Sequence, residues 1–340
     1  MPLDKPQFDG IGNTLISGLP LEFSGKGDFI ALDRTTDGLF RIGENGVRQI
    51  ASPKDGKVEF IVFADHTLAY VKSAMGYPAY YPMHPVRIER PVKAILMDLD
   101  GTSVHSENFW IWIIQLTTAD LLGDKHFELM EADFSHVSGH SVSEHLQYCI
   151  KKYCPEKTVE EARRYYYEHT RREMKEFIEG RGRVDAFTPA PGLKTFLREL
   201  KSRGIKIGLV TSGLYEKAWP EIVSAFRQLK MGAPTDFYDA IITAGYQPAR
   251  GVAGTLGELE AKPHPWLYAE AARVGLGIPF AERHSVIGLE DSGAGVVSIR
   301  LAGYAAIGMA GGNIEQSGTK SLTSHYCDNF EAVLSVIDGS

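Results

Sequence analysis

The sequence predicts an α/β protein whose main body is a doubly wound, mostly parallel sheet of the Rossmann-like type. Three observations support this fold class. From residue 91 onwards, short apolar runs alternate with segments of helical periodicity, which is the pattern of a parallel sheet covered by helices. Between about residues 105 and 187 only helical patterns occur, which indicates an α-helical insertion. Residues 27–73 hold only short β-prone runs separated by turn residues, which indicates a small β-rich unit.

The β-rich N-terminal unit is expected to form antiparallel strands. Its apolar runs cover residues 28–32, 38–42, 58–63 and 67–71, and residues such as Gly, Asn and Asp separate them. Residues 77–85 contain three prolines, which remove backbone donors and restrict their neighbours, and this predicts a linker. Residues 1–90 therefore read as an accessory unit with its linker. The unit is free to pack against the body, to bind a ligand or to mediate a homo-oligomer.

The body is expected to comprise residues 91–104 and 188–340. Its buried strands are predicted from continuous apolar runs at residues 92–97, 205–210, 240–243, 285–288 and 304–308. Segments with helical periodicity lie between them, for example at residues 193–201 and 266–273.

The all-helical segment, residues 105–187, is expected to form a cap over the edge of the sheet. Helices are predicted over residues 107–122, 142–153 and 159–178. Thr158 and Glu161 have the spacing of a capping box for the third helix, and Ser141 is a candidate cap for the second.

Composition and charge exclude several classes of function. The 36 Lys and Arg residues against 43 Asp and Glu give a net charge of −7, which argues against a general electrostatic grip on nucleic acid or anionic lipid. No apolar run approaches the ~20 residues of a membrane-spanning helix, and the N-terminus lacks the pattern of a secretory signal. Three cysteines do not form a disulfide framework, which favours a reducing, cytoplasmic compartment.

An acidic segment follows the first predicted strand of the body, with the sequence Asp98-Leu-Asp100-Gly-Thr102. Ligands bind outside the carboxyl ends of the strands in doubly wound sheets, so the position of this segment is informative. Gly101 allows the backbone to bend there. One of the two carboxylates can attack phosphorus while the other handles a proton.

This segment resembles the first motif, Asp-x-Asp-Gly-Thr, of the haloacid dehalogenase-like hydrolase superfamily, and the resemblance extends from about residue 92 to residue 336. The resemblance implies that Asp98 is the nucleophile that becomes an aspartyl-phosphate. It also implies that Asp100 is the general acid and base, and that its backbone carbonyl binds Mg²⁺.

The later motifs of the superfamily are found in order at the ends of later predicted strands. The segment at residues 207–213 resembles the second motif and implies that Thr211, with Ser212 beside it, binds a phosphoryl oxygen. The segment at residues 261–265 resembles the third motif, which implies that Lys262 neutralises charge on the nucleophile and on the phosphoryl group. The segment at residues 286–295 resembles the fourth. The implied Mg²⁺ ligands are Asp98, Asp100, Glu290 and Asp291.

The helical insertion resembles the α-helical cap of phosphoglycolate phosphatase, β-phosphoglucomutase and phosphonatase relatives. Residues 138–146 resemble a substrate-facing segment of such caps, which makes His140 a candidate substrate contact, with a surface histidine before a helix as the alternative. The chain departs from these relatives where the cap begins, because Ser103 and His105 replace an apolar residue and a carboxylate. Substrate choice and cap closure therefore stay open.

The function that follows from this resemblance is a magnesium-dependent phosphatase acting on a small phosphorylated metabolite of the sugar-phosphate kind. The second carboxylate, Asp100, favours phosphoryl transfer over carbon–halogen cleavage. A phosphosugar mutase of the β-phosphoglucomutase type is the nearest alternative, and a phosphonatase is another, although no clear cap lysine is found. From a different class, the alternative is a non-catalytic binding protein in which the β-rich unit is the active surface.

Overall fold

The computed structural model describes residues 15–16, 19–20, 29–72, 78–137, 142–245 and 261–339. The candidate substrate contact His140 and the candidate cap residue Ser141 lie outside the described residues. Among the residues described, no helix is both long enough and apolar enough to span a membrane.

The described part of the N-terminal region forms two antiparallel sheets. A two-residue pair, β1 (Leu15–Ile16) and β2 (Leu19–Pro20), comes first. A five-stranded sheet follows, in which each strand pairs with the next along the chain. Its strands are β3 (Phe29–Leu32), β4 (Gln49–Pro53), β5 (Val58–Val62), β6 (Thr67–Val71) and β7 (Ala79–Pro82).

Two predictions about this region were wrong. The run at residues 38–42 is not a strand, because Gly38 and Gly43 adopt positive φ angles and bend the chain into turns. The stretch at residues 77–85 is not only a linker, because it contains β7. Among the described residues this strand pairs only with β6, and it ends at Pro82; an edge strand tolerates a residue without a donor.

The helical insertion lies between the first strand of the body, β8 (Ala94–Asp98), and the second. The chain leaves the body through β9 (Val104–His105) and returns through β10 (Thr188–Pro189), and these two strands pair antiparallel. The three predicted helices have the predicted bounds, and the capping box of the third is present. They are α1 (Glu107–Leu122), α2 (Val142–Tyr153) and α3 (Val159–Ile178).

The body is a six-stranded parallel sheet flanked by helices, which confirms the predicted fold class. The order across the sheet is β12-β11-β8-β13-β14-β15, so β8 lies near its centre. The last strand, at residues 325–327, was not predicted. The remaining strands are β11 (Lys206–Val210), β12 (Ala240–Ile242), β13 (Val286–Glu290), β14 (Ala305–Met309) and β15 (His325–Cys327).

Helices connect the parallel strands. The segment predicted as a helix at residues 266–273 is regular only to Glu270 and continues as a π-helical turn over Ala271–Gly275. The helices of the body are α4 (Leu193–Ser202), α5 (Tyr215–Gln228), α6 (Trp266–Glu270), α7 (Gly293–Leu301), α8 (Ile314–Ser317) and α9 (Phe330–Asp338).

The central strand β8 contributes to two different hydrophobic clusters, because successive side chains of a strand point to opposite faces. Ile95 and Met97 belong to the cluster that contains the apolar side chains of the helical insertion. Ala94 and Leu96 belong to the cluster that contains the inner face of the N-terminal sheet. The N-terminal sheet therefore packs against the body on the face away from the insertion.

Candidate active site

The predicted site residues meet at the carboxyl edge of the parallel sheet. Asp98 is the last residue of β8, Glu290 is the last residue of β13, and Thr211 directly follows β11. These three strands are neighbours in the order β11-β8-β13, so their carboxyl ends lie side by side.

Lys262 joins two of the carboxylates. Its Nζ donates a hydrogen bond to Oδ1 of Asp98 and another to Oε1 of Glu290 at 2.5 Å. The Lys262 side chain is only 7% exposed. Burial alone lowers the pKa of a lysine, but the charges of Asp98 and Glu290 outweigh it and raise the pKa of Lys262. The side chain is therefore an ammonium ion held between two acids.

The Glu290 carboxylate is fully buried and held on both oxygens. The Tyr268 hydroxyl donates to Oε1 at 2.7 Å, and the Ser292 hydroxyl donates to Oε2 at 2.9 Å. The Ser292 backbone N–H donates to Oε2 at 3.2 Å. Such a network satisfies both oxygens of the buried group and fixes where it points.

A third carboxylate completes an acidic group suited to a cation. Ligand oxygens of Asp98, Glu290 and Asp291 all lie within 4.8 Å of one another. The Thr102 hydroxyl donates to Oδ1 of Asp291 at 3.2 Å. Gly101, at a φ of +89°, leaves the space for Asp291, since a Cβ there would lie 2.2 Å from Oδ2.

The electrostatics of this group favour a divalent cation. Burial and the nearby Glu290 charge raise the pKa of Asp98 well above its usual range, and the same two causes raise the pKa of Asp291 to about 7. With all three carboxylates ionised, Lys262 leaves two negative charges unbalanced. The donors are all oxygens, which suits Mg²⁺ better than a softer metal, so the residues present fit that ion.

Asp100 lies in a separate hydrogen-bond group beside these acids. The Ser106 hydroxyl donates to its Oδ1 at 2.7 Å, and the Thr211 hydroxyl reaches its Oδ2 at 3.4 Å. Lys217 Nζ lies 3.9 Å from Oδ1. Burial raises the pKa of Asp100, but Lys217, Ser106 and Glu221 outweigh burial and hold the pKa below its usual range.

Sequence reasoning missed Lys217 and Glu221, which lie one turn apart on α5. The Glu221 carboxyl is fully buried near Asp100 and Ser106, and burial together with the Asp100 charge raises the pKa of Glu221 well above its usual range. Lys217 Nζ lies 3.9 Å from the centre of the Trp110 ring on α1. Their spacing of four residues was a signal in the sequence, but which way α5 faces depends on tertiary packing.

The remaining predicted residues contribute local contacts. Thr211 Oγ1 accepts a hydrogen bond from the Gly213 N–H at 2.9 Å, which shapes the turn after β11. Ser212 Oγ accepts from the backbone N–H of Lys262 at 3.2 Å, so it ties that turn to the lysine segment.

The family of the chain follows from a comparison with family models. The model of haloacid dehalogenase-like hydrolases matches residues 92–303, well over half of the chain. The chain belongs to the haloacid dehalogenase-like hydrolase family. All the predicted site residues of this hydrolase lie within the matched range, whereas the five-stranded N-terminal sheet lies outside it.

Solved structures share the fold of this haloacid dehalogenase-like hydrolase. CbbY from Rhodobacter sphaeroides, solved in complex with phosphate, has a TM-score of 0.52 at 22% identity, over 73% of this chain and 99% of that chain. A predicted phosphoglycolate phosphatase from Haemophilus somnus 129PT has a TM-score of 0.53 at 18% identity, over 72% of this chain and 98% of that chain. A comparison with curated proteins finds no match.

Proposed function

We propose that the protein is a magnesium-dependent phosphatase that hydrolyses a small phosphorylated metabolite through an aspartyl-phosphate on Asp98. The observation that carries this proposal is the meeting of Asp98, Lys262, Glu290 and Asp291 at one edge of the sheet, with Asp100 beside them. A sugar-phosphate-like substrate and a cytoplasmic setting belong to the same proposal. The three cysteines are all free and buried, which agrees with a reducing compartment.

The first step transfers the phosphoryl group to the enzyme. A carboxylate oxygen of Asp98 attacks phosphorus, and the bond from phosphorus to the leaving oxygen breaks. Attack by an anion on an anion requires positive charge, and the Lys262 ammonium lies against the nucleophile. Asp98, Glu290, Asp291 and the backbone carbonyl of Asp100 would hold Mg²⁺, which would supply further positive charge to this site.

Asp100 handles the protons in both steps. As an acid it donates a proton to the leaving oxygen, and the buried Glu221 carboxyl beside it is a group from which it can receive that proton. In the second step, ionised Asp100 takes a proton from water. The water oxygen attacks phosphorus, the bond from phosphorus to the Asp98 oxygen breaks, and inorganic phosphate and ionised Asp98 are formed, while the proton now on Asp100 returns to Glu221.

We also propose that residues 105–187 act as a cap that closes over this site. The pairing of β9 with β10 supports the proposal, because it brings together the two points where the insertion leaves and rejoins the body. The contact between Trp110 of α1 and Lys217 of α5 places an insertion side chain against a group that faces Asp100. Closure of such a cap excludes water from the reacting groups.

The nucleophile assignment is tested by Asp98→Asn. We expect this variant to lose turnover of p-nitrophenyl phosphate with Mg²⁺ while its circular dichroism and melting temperature show a folded protein. Asp185→Asn, an exposed position, is the control for the same chemical change. Unchanged activity of Asp98→Asn contradicts the proposal.

A panel of phosphorylated metabolites, assayed with Mg²⁺ and with a chelator, tests the substrate class. Release of inorganic phosphate that stops without Mg²⁺ supports a magnesium-dependent phosphatase. If a hexose phosphate yields an isomer instead of free phosphate, the protein is a phosphosugar mutase.

A further inference from the structure

The N-terminal sheet reaches the segment that carries Lys262. Tyr81, on the edge strand β7, shares a hydrogen bond of 2.7 Å with Nδ1 of His264, and the two rings meet edge to face with centroids 5.7 Å apart. The Tyr81 ring also meets Trp266 at 6.3 Å. This contact joins a part of the chain outside the family match to one inside it.

His264 connects Tyr81 with the segment that carries Lys262, because it lies two residues after Lys262 and is buried. Its N–H donates to the Ala261 carbonyl at 3.0 Å, which closes a turn around Lys262. Its carbonyl accepts from the Ser298 hydroxyl of α7 at 2.6 Å. The turn is therefore fixed on one side by the body and on the other by Tyr81.

Tyr81 is itself held by the sheet. Its backbone pairs with Ala69 of β6, and Met83, two residues later, is buried in the cluster that the sheet shares with the body. The position of the hydroxyl is thus set by many contacts rather than by a single side-chain rotation.

We propose that Tyr81 is a positioning residue for Lys262 and that it acts through His264, so that the appended β-sheet is part of the catalytic apparatus. The proposal rests on the proposed function, in which the Lys262 ammonium stabilises the charge of the phosphoryl transfer. The Lys262 Nζ donates hydrogen bonds to two carboxylates, so a small displacement of its backbone changes both contacts. A small displacement of a catalytic group lowers kcat more than it weakens substrate binding.

The kinetic test is Tyr81→Phe, which keeps the ring and removes the hydroxyl. We expect kcat for p-nitrophenyl phosphate to fall about three- to tenfold, the size of one lost hydrogen bond, with KM unchanged. Tyr80→Phe is the matched control, since Tyr80 is the neighbour on the same strand and its hydroxyl binds Asp37, in the connection between β3 and β4. The control is expected to keep the wild-type kcat.

Substitutions of His264 test whether Tyr81 acts on Lys262 through this residue. His264→Asn keeps a polar atom near the position of Nδ1, whereas His264→Leu does not, so the Asn variant is expected to retain more of the wild-type kcat. Adding Tyr81→Phe to His264→Leu is expected to cause no further loss, because the two changes break the same contact. Additive losses in the double variant overturn the route through His264.

A measurement that does not depend on catalysis separates this inference from the proposed function. Hydrogen–deuterium exchange of the peptide covering residues 261–268 reports whether the turn around Lys262 stays closed. We expect faster exchange in Tyr81→Phe and wild-type exchange in Tyr80→Phe, whatever reaction the protein catalyses. Unchanged exchange in Tyr81→Phe overturns the positioning role, and an inactive wild-type protein overturns only the phosphatase.

Discussion

The acidic group at the sheet edge predicts that the metal-free protein gains stability when Asp291 loses its charge. Asp291 and Glu290 are adjacent carboxylates, and burial together with the Glu290 charge raises the pKa of Asp291 to about 7. In Asp291→Asn the amide oxygen can still accept the hydrogen bond from Thr102, so the change removes the charge and keeps the shape.

The magnitude and the pH window follow from the pKa values. Below pH 3.8 the carboxyl is protonated in both states and contributes nothing. Between 3.8 and about 7 the unfolded chain ionises while the folded protein stays protonated, so the free energy of unfolding falls as pH rises. This interval corresponds to at most about 4 kcal/mol, because one pH unit is worth about 1.4 kcal/mol.

Urea denaturation of wild type and Asp291→Asn at pH values from 4 to 8, with a chelator present, measures the effect. We expect the variant to be more stable at pH 8 and to lose that advantage towards pH 4. Mg²⁺ at one hundred times its Kd is expected to add about 2.7 kcal/mol to the wild type and much less to the variant. Asp185→Asn controls for net charge. A variant that is less stable than wild type at pH 8 without metal refutes the reasoning.

Three other predictions concern single side chains. Lys262→Met is expected to lower kcat by about 10²- to 10³-fold, because the positive charge beside Asp98 is lost. Steady-state kinetics with p-nitrophenyl phosphate measure this loss, and a much smaller loss contradicts the role given to Lys262. Ser106→Ala removes a hydrogen bond that stabilises ionised Asp100, so the pKa of Asp100 rises; because Asp100 must carry a proton in the first step, the basic limb of the kcat/KM profile is expected to move to higher pH, and an unmoved limb contradicts the assignment. Thr158→Ala is expected to destabilise the protein by about 1 kcal/mol in urea denaturation, because it removes the cap of α3, while turnover stays at the wild-type level.

The helical insertion was predictable because its signals are local. The bounds of α1, α2 and α3 agree with the sequence pattern, and the Thr158 capping box marks the start of α3 within the chain itself. The central strands were predictable for a similar reason, since strands buried on both faces are continuous apolar runs.

The wrong strand predictions concern segments whose structure depends on contacts with other elements. The residues at 38–42 are β-prone, yet positive φ angles at the flanking glycines bend the segment away from a ladder. The strand β7 ends in a proline, Pro82, and it forms because it can pair with the edge of β6. β4 was missed because Gln, Ala, Ser and Pro supply little β propensity, although four of its five residues are buried.

The residues of the candidate site also fall into those that local patterns indicate and those that only tertiary packing brings to the site. Local patterns indicated Asp98, Asp100, Thr211, Lys262, Glu290 and Asp291, because each ends or follows an apolar strand or belongs to a short motif. The structure brings their side chains together, and their roles stay predictions. Tyr268, Lys217 and Glu221 project from helices, so their approach to the site depends on how those helices pack. The Tyr81 contact joins residues 183 positions apart, and no local pattern announces it.

The hydrophobic cluster that the N-terminal sheet shares with the body limits how far the protein can be truncated. A fragment limited to the matched residues 92–303 loses the sheet that covers Leu96 and Val210, and it also loses β14, α8, β15 and α9 at the other end. The newly exposed surface would be a contiguous apolar patch, and such a patch favours aggregation. The minimal unit for expression is therefore longer at both ends than the recognisable hydrolase.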